Sequence, residues 1–138
     1  MKDHDLVILG GGAAGFAAAT VANRRGADTA MINAGLPLGG TCVNVGCVPT
    51  KHLLAVAEGL YQAQNPRFDA LDIAPPSFDF SRAVADKDRL IETLRGTNYH
   101  DVLGVMPKVD LFSGNGRFVS PHENELPRRK RTVYQEAL

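Results

Sequence analysis

A short apolar stretch followed at once by a cluster of glycines is the feature that most constrains the fold of this chain. Residues 5–9 read as a buried strand, and residues 10–15, Gly-Gly-Gly-Ala-Ala-Gly, fit the pattern G-x-G-x-x-G directly after it. The alanine-rich residues 13–25 predict a helix ending at Gly26, and residues 28–33 predict a second, parallel strand. We therefore expect a βαβ unit, which places the chain in the α/β class with a Rossmann-like parallel sheet.

The glycines of this turn have separate roles in binding a dinucleotide. Gly10 allows the tight turn, Gly12 lets a pyrophosphate approach the backbone, and Gly15 allows the helix to pack closely on the strand. The helix N-terminus, which includes Ala13 and Ala14, faces the anion.

The second strand ends in Asn33, where the dinucleotide pattern usually has an acid that accepts hydrogen bonds from ribose hydroxyls. An asparagine carbonyl can accept one such bond, without charge assistance. The alternative is that Asn33 only begins the turn of residues 33–35.

The two cysteines of the chain, Cys42 and Cys47, lie in the segment 39–51, Gly-Gly-Thr-Cys-Val-Asn-Val-Gly-Cys-Val-Pro-Thr-Lys. Residues five apart on a regular helix are roughly 8.7 Å apart, beyond the roughly 7 Å that a disulfide tolerates between α-carbons. If the two cysteines bond, the backbone between them must be irregular. Gly46 supplies freedom for that distortion, and Pro49 suits the first turn of a helix that starts near residue 48.

Cys47 is expected at or just before this helix N-terminus, with Lys51 on the same face one turn later. The helix dipole and the ammonium group would then stabilise a thiolate at Cys47, making it the more readily ionised cysteine. The alternative is that both cysteines are small buried hydrophobic residues.

Composition describes one globular domain. The 138 residues are 44% hydrophobic, with 15 basic and 15 acidic side chains, so nothing global indicates a nucleic-acid partner. Residues 6–22 could be mistaken for a signal peptide or membrane span, but Asp3, Asp5 and the glycines argue against both. We expect a cytoplasmic protein, in which a catalytic disulfide is favoured over a structural one.

The remaining elements are predicted from periodicity. A helix over residues 51–64 carries an apolar stripe that we expect in the core: Leu53, Leu54, Val56, Ala57, Leu60 and Tyr61. After a loop over residues 65–80, a second helix begins near Ser81 with Asp79 or Ser81 as its cap. Its predicted buried face is Val84, Leu90, Ile91 and Leu94.

The last elements are a strand and a turn. Residues 109–112 predict a strand, residues 113–116 a tight turn, and residues 117–119 its continuation or partner. From residue 121 the chain is polar, with a basic run at 128–131. We predict a domain over residues 1–120 and a disordered tail over 121–138.

These motifs, together with Ser-Gly-Asn-Gly-Arg-Phe at 113–118, resemble the N-terminal FAD-binding portion of the pyridine nucleotide-disulfide oxidoreductases. The resemblance covers about residues 4 to 122. It implies an incomplete FAD-binding domain and an enzyme that takes electrons from NAD(P)H.

The resemblance assigns roles by position. The pyrophosphate of FAD would lie on the glycine turn, Asn33 would stand at the ribose position, and Gly116 would lie near the adenine. The residues expected to line the flavin are Gly40, Thr41, Gly46 and Lys51. Cys42 would exchange with the substrate, while Cys47 would lie against the isoalloxazine as the charge-transfer thiolate.

Within the family, Val43, Val48, Thr50 and the pattern over residues 94–104 are similar to mercuric reductases. This implies Hg(II) as substrate, held by Cys42 and Cys47, since thiolates suit a soft ion. A dihydrolipoamide dehydrogenase-like or glutathione reductase-like member is the alternative.

Such enzymes also have further domains and act as homodimers, and this chain shows no second glycine fingerprint. We therefore expect a partial product that alone binds FAD poorly and does not turn over. Two alternatives from other classes are a catalytically silent flavin-binding module and a soft-metal site formed by Cys42 and Cys47 with His52.

Overall fold

The computed structural model describes residues 3–68, 70, 71, 74, 76–120 and 123–125. Its elements are β1 (Leu6–Leu9), α1 (Ala13–Arg24), β2 (Thr29–Asn33), α2 (Gly40–Asn44), α3 (Cys47–Gln64), α4 (Phe80–Arg95), a π-helical turn (Gly96–His100), α5 (Asp101–Gly104), β3 (Val109–Ser113), β4 (Arg117–Ser120) and β5 (Glu123–Glu125). The predicted βαβ unit is confirmed.

The main sheet has the strand order β1-β2-β3, and both pairs of neighbours are parallel. The central strand β2 is buried along four of its five residues, with Met31 and Thr29 fully enclosed. Because all three strands run the same way, their carboxyl ends lie at one edge, where ligands of α/β proteins bind.

The core lies between this sheet and the helices. It includes Ile8 and Met31 from the sheet, Phe16 and Ala19 from α1, and Ile91 from α4. Phe16 packs edge-on against Tyr99 with ring centroids 4.8 Å apart, which joins α1 to the π-helical turn. The segment after α4 therefore packs against the helix that follows the glycine turn.

Helix α4 begins as predicted. The Asp79 side chain accepts a hydrogen bond from the Arg82 backbone amide at 3.1 Å, so Asp79 is its N-cap. Ile91 is buried and Leu94 partly buried, but Leu90, predicted for the same face, is 37% exposed.

The expectation that the apolar stripe of α3 lies in the core is wrong. No α3 residue is buried; Leu54 is 57% exposed and Tyr61 62% exposed. Leu53, Val56 and Leu60, which share one side of the helix, are only partly buried. The stripe spans two adjacent faces, and no described residue buries the face of Leu54 and Tyr61.

The strand that follows the tight turn predicted at residues 113–116 does not pair with β3. Instead β4 pairs with β5 in a separate antiparallel sheet. Of the predicted tail, residues 123–125 thus form a strand, while residues 126–138 lie outside the described residues. The domain boundary near residue 120 stays a prediction. Within the described residues, no helix is both long enough and apolar enough to cross a bilayer.

Candidate functional site

Two glycine turns meet at the carboxyl edge of the sheet. The first joins β1 to α1 at residues 10–12, and the second precedes α2 at residues 39–40. The Gly39 amide donates to the Gly11 carbonyl at 2.8 Å, and Gly12 and Gly39 form an isolated parallel bridge. Gly39 has φ +100°, a conformation that favours glycine. The sequence analysis gave Gly39 no role, although it begins a Gly-Gly doublet.

At Gly15 and Gly40 the packing is too close to admit a side chain. A Cβ added to Gly15 would lie 2.2 Å from the Gly10 carbonyl oxygen, and one added to Gly40 would lie 3.0 Å from the Gly12 α-carbon. Gly10 and Gly40 both have positive φ. The predicted roles of Gly10 and Gly15 in the turn and in helix packing therefore have a steric basis here.

The N-terminus of α1 has the properties that an anion requires. Its cap is Gly12, no side chain bonds its first turn, and that turn contains no acidic residue. Ala13 and Ala14 are exposed there. The first amides of a helix lack partners within the helix, so these residues fit the pyrophosphate of a dinucleotide.

The side chain of Asn33 points inward to these turns. Its Oδ1 accepts from the Gly11 amide at 3.0 Å, and its Nδ2 donates to the Leu36 carbonyl at 3.0 Å. Asn33 thus joins the end of β2 to the first glycine turn and to the loop that follows β2. One lone pair of Oδ1 is already used, so the predicted ribose contact can employ only the other.

Gly116 also lies at this edge. A Cβ added to it would lie 2.7 Å from a methyl carbon of Leu9 and 3.1 Å from one of Ile32. Gly116 therefore covers the ends of β1 and β2, and its predicted place near an adenine stays a prediction.

The backbone between the cysteines is irregular, which is the condition that the sequence set for a bond between them. Cys42 lies in the short helix α2, Val45 has φ −141° and ψ 0°, and α3 begins at Cys47 after its cap Gly46. A Cβ added to Gly46 would lie 3.0 Å from the Thr41 carbonyl oxygen. Glycine at position 46 therefore lets the two helices approach each other.

Both cysteines are exposed free thiols in this structure. This contradicts the alternative that they are small buried hydrophobic residues. Thr41 and Lys51 are exposed as well, and the predicted contacts of both with a flavin stay predictions.

The thiol of Cys42 is perturbed by the neighbouring Cys47. A side-chain hydrogen bond with Cys47 raises the pKa of Cys42, and burial and the nearby Cys47 charge act in the same direction. The Cys47 backbone amide opposes this effect by hydrogen bonding to the Cys42 sulfur. The neighbouring Cys47 therefore favours the protonated form of Cys42; that Cys47 carries the thiolate stays a prediction.

Asn44, between the cysteines, was missed by the sequence analysis. It is 9% exposed, and its Nδ2 lies within hydrogen-bonding distance of the carbonyls of Pro37, Leu38 and Gly40, at 3.0, 3.3 and 2.8 Å. Its Oδ1 accepts from Arg95 Nε at 2.6 Å. Arg95 is 51 residues away in sequence, so no local spacing could have revealed the pair.

The alternative of a three-ligand soft-metal site is not supported. Across the described part of the chain, no group of three or more His, Cys, Asp and Glu side chains is placed to hold a metal ion. His52 lies on α3 with a buried Nε2 that has no hydrogen-bond partner.

Comparison with known proteins gives one family. The family model described as pyridine nucleotide-disulphide oxidoreductase matches residues 4–137, beyond the predicted end of the resemblance at about residue 122. Among curated relatives, mercuric reductase from Streptomyces lividans is 45% identical over 72% of this chain and 21% of its own length. Mercuric reductase from Staphylococcus aureus is 39% identical over 85% of this chain and 21% of its own length.

Other members of the same group are also similar. Mitochondrial dihydrolipoyl dehydrogenase 1 from Arabidopsis thaliana is 34% identical over 88% of this chain and 24% of its own length. Among solved structures, the Cu(II) complex of an HOCl-induced flavoprotein disulfide reductase from Escherichia coli has a TM-score of 0.70 at 32% identity. That match covers 93% of this chain and 25% of the other. The chain thus spans about a quarter or less of these proteins.

Proposed function

Because this chain belongs to the pyridine nucleotide-disulphide oxidoreductase family, we propose that it forms the FAD pyrophosphate-binding and redox-thiol part of a mercury(II) reductase. Members of this family use FAD with NAD(P)H as electron donor. The observation that carries the proposal is the pair of exposed thiols, Cys42 in α2 and Cys47 at the start of α3, beside two interlocked glycine turns.

The glycine turns bind and orient the cofactor. The N-terminus of α1, where no side chain forms a cap hydrogen bond, would hold the pyrophosphate, with Gly12 and Gly40 allowing close approach to the backbone. Asn33 holds the turn in place through the Gly11 amide. Bound FAD supplies the two-electron chemistry that thiols alone do not provide.

The cysteines bind the substrate and hold the electrons. With NAD(P)H as the electron source, the disulfide form would take up two electrons and one proton to give the Cys42 thiol and the Cys47 thiolate. Cys42, exposed in α2, is the thiol that would exchange with substrate, while Cys47, at the N-terminus of α3, would hold negative charge. Lys51, one turn along α3, adds positive charge near Cys47.

Hg(II) is the proposed substrate because two neighbouring thiolates are suited ligands for a soft ion. Mercuric reductases from two organisms are 45% and 39% identical to this chain. The second candidate is a dihydrolipoyl dehydrogenase, favoured by the 34% identity to the Arabidopsis protein. Assembly of the intact enzyme as a homodimer and a cytoplasmic location are part of the same proposal.

The first test measures Hg(II) binding to the reduced 138-residue chain by competition with a thiol chelator. One ion should bind per chain, and Cys42→Ser and Cys47→Ser should each weaken binding at least a hundredfold, because a second thiolate ligand is lost. His52→Ala is the matched control and should bind as wild type. Unchanged binding by either serine variant would overturn the dithiol site.

The second test titrates the chain with FAD and follows the flavin absorbance. The glycine turns predict binding that Gly12→Val abolishes and Gly59→Ala leaves unchanged, since Gly59 has nothing near its Cβ position. Binding that survives Gly12→Val would refute the pyrophosphate site. Adding NADPH with Hg(II) or with lipoamide then tests the expectation of weak FAD binding and no turnover by this chain alone; turnover of either substrate would refute that expectation and favour the matching candidate.

A further inference from the structure

The orientation of the Asn44 side chain is fixed from both of its ends. Its Nδ2 faces the carbonyls of Pro37, Leu38 and Gly40, which can only accept hydrogen bonds. Its Oδ1 faces Arg95, whose guanidinium can only donate. If the amide were flipped, Oδ1 would face the three carbonyls and Nδ2 would face the guanidinium. Only the observed orientation therefore satisfies both ends.

Arg95 supplies the strong contact in this arrangement. Its Nε donates to Asn44 Oδ1 at 2.6 Å in a partly buried setting. A hydrogen bond from a charged donor is roughly twice as strong as a neutral one. No carboxylate among the described residues forms an ion pair with Arg95, so the asparagine is its principal polar contact.

The segment that carries Arg95 is itself anchored to the glycine turns. Arg95 ends α4, and the π-helical turn that follows places Tyr99 against Phe16. A Cβ added to Gly39 would lie 3.2 Å from Tyr99 Cε2. Arg95 therefore acts from a part of the chain that is packed in the core.

The thiols depend on this link because α2 cannot hold its own shape. It has five residues, Gly40–Asn44, far fewer than an isolated helix requires. Cys42 lies in its middle, and Asn44 ends it, three residues before Cys47. Fixing Asn44 thus fixes Cys42 relative to the first residue of α3.

We infer that Arg95 is a positioning residue for the Cys42–Cys47 couple, acting through Asn44 to hold the two sulfurs within reach of each other. The inference rests on the proposed redox role of the two cysteines. It adds a residue from α4, outside the cysteine motif, to the machinery of the thiol pair.

The test measures the thiol–disulfide equilibrium of the 138-residue chain with glutathione. Two protein thiols and one glutathione disulfide give one Cys42–Cys47 disulfide and two glutathione thiols, so atoms and electrons balance. Arg95→Met should lower the equilibrium constant about tenfold, or about 30 mV for this two-electron couple. Arg95→Lys keeps a charged donor and should recover most of the loss.

Arg89→Met is the matched control because Arg89 is an exposed arginine on the same helix, paired with Asp86. It should leave the constant unchanged. Asn44→Asp places a carboxylate oxygen against the carbonyls of Pro37 and Gly40 and should lower the constant at least as much as Arg95→Met.

The outcomes separate the inference from the proposed function. A wild-type chain that forms no intramolecular disulfide would refute the redox role itself. A normal wild-type constant that Arg95→Met leaves unchanged, with native circular dichroism, would refute the positioning role alone. If Arg95→Met unfolds, Arg95→Lys and Arg95→Gln are compared instead. A larger equilibrium constant for Arg95→Lys than for Arg95→Gln supports the inference, and equal constants overturn it.

Discussion

Replacing Gly15 by alanine tests the close packing of α1 on the glycine turn. The added Cβ would lie 2.2 Å from the Gly10 carbonyl oxygen, whereas real contacts of this kind stay beyond 3.0 Å. The oxygen must therefore move by about 0.8 Å, and overpacking against backbone costs about 3 kcal/mol. Alanine in a helix recovers about 1 kcal/mol, so the free energy of unfolding should fall by about 2 kcal/mol.

Gly59→Ala is the matched control. Gly59 is also inside a helix, but nothing lies within 4 Å of its Cβ position. Only the propensity gain operates there, so the free energy of unfolding should rise by about 1 kcal/mol. For a chain of this size the melting temperature should fall about 8 °C for Gly15→Ala and rise about 4 °C for Gly59→Ala.

The assay is urea unfolding followed by far-ultraviolet circular dichroism, with thermal melting as a second measure. An equal gain in stability from the two substitutions would refute the reasoning, because it would show that the glycine turn can retreat without cost. A loss at both positions of the same size would refute it as well, since Gly59 has no neighbour to clash with.

Three further outcomes are expected. Cys47→Ala should lower the pKa of Cys42, because Cys47 raises it through a hydrogen bond and its charge; iodoacetamide should then alkylate Cys42 faster at pH values below that pKa. Asn33→Leu should destabilise the chain by about 1–3 kcal/mol, because the Gly11 amide loses its partner. Asp79→Ala should cost about 1 kcal/mol through loss of the α4 cap.

Each of these outcomes has a control. At strongly alkaline pH the alkylation rates of wild type and Cys47→Ala should converge, and a constant ratio at all pH values would count against a pKa effect. Asn33→Asp keeps the acceptor for Gly11 and should cost less than Asn33→Leu. Ser81→Ala, at the second residue of α4, should leave the stability unchanged. A loss of stability equal to that of Asp79→Ala would contradict the assignment of Asp79 as the cap.

The βαβ unit could be predicted because its signals are local. A strand, a glycine turn and an alanine-rich helix follow one another without interruption over residues 6–24. The N-cap of α4 could also be predicted, because Asp79 bonds an amide only three residues away. The irregular backbone between the cysteines followed from their spacing and Gly46.

The contacts that define the site could not be predicted from local sequence patterns. The dinucleotide pattern assigned Asn33 to a ribose, but its amide bonds two neighbouring turns, which only the folded geometry shows. Arg95 and Asn44 meet across 51 residues. Periodicity showed that α3 has an apolar stripe, but it could not show which side α4 would cover.

The strand β1 has consequences for handling this protein. Within the described residues it pairs on one side only, with β2, and its sequence is wholly apolar, with Leu6 and Leu9 each more than one-third exposed. The unpaired edge of such a strand offers backbone groups to which another copy of the chain can add a strand. Concentrated preparations should therefore form sheet-like aggregates, and a lysine in place of Leu6 should suppress them.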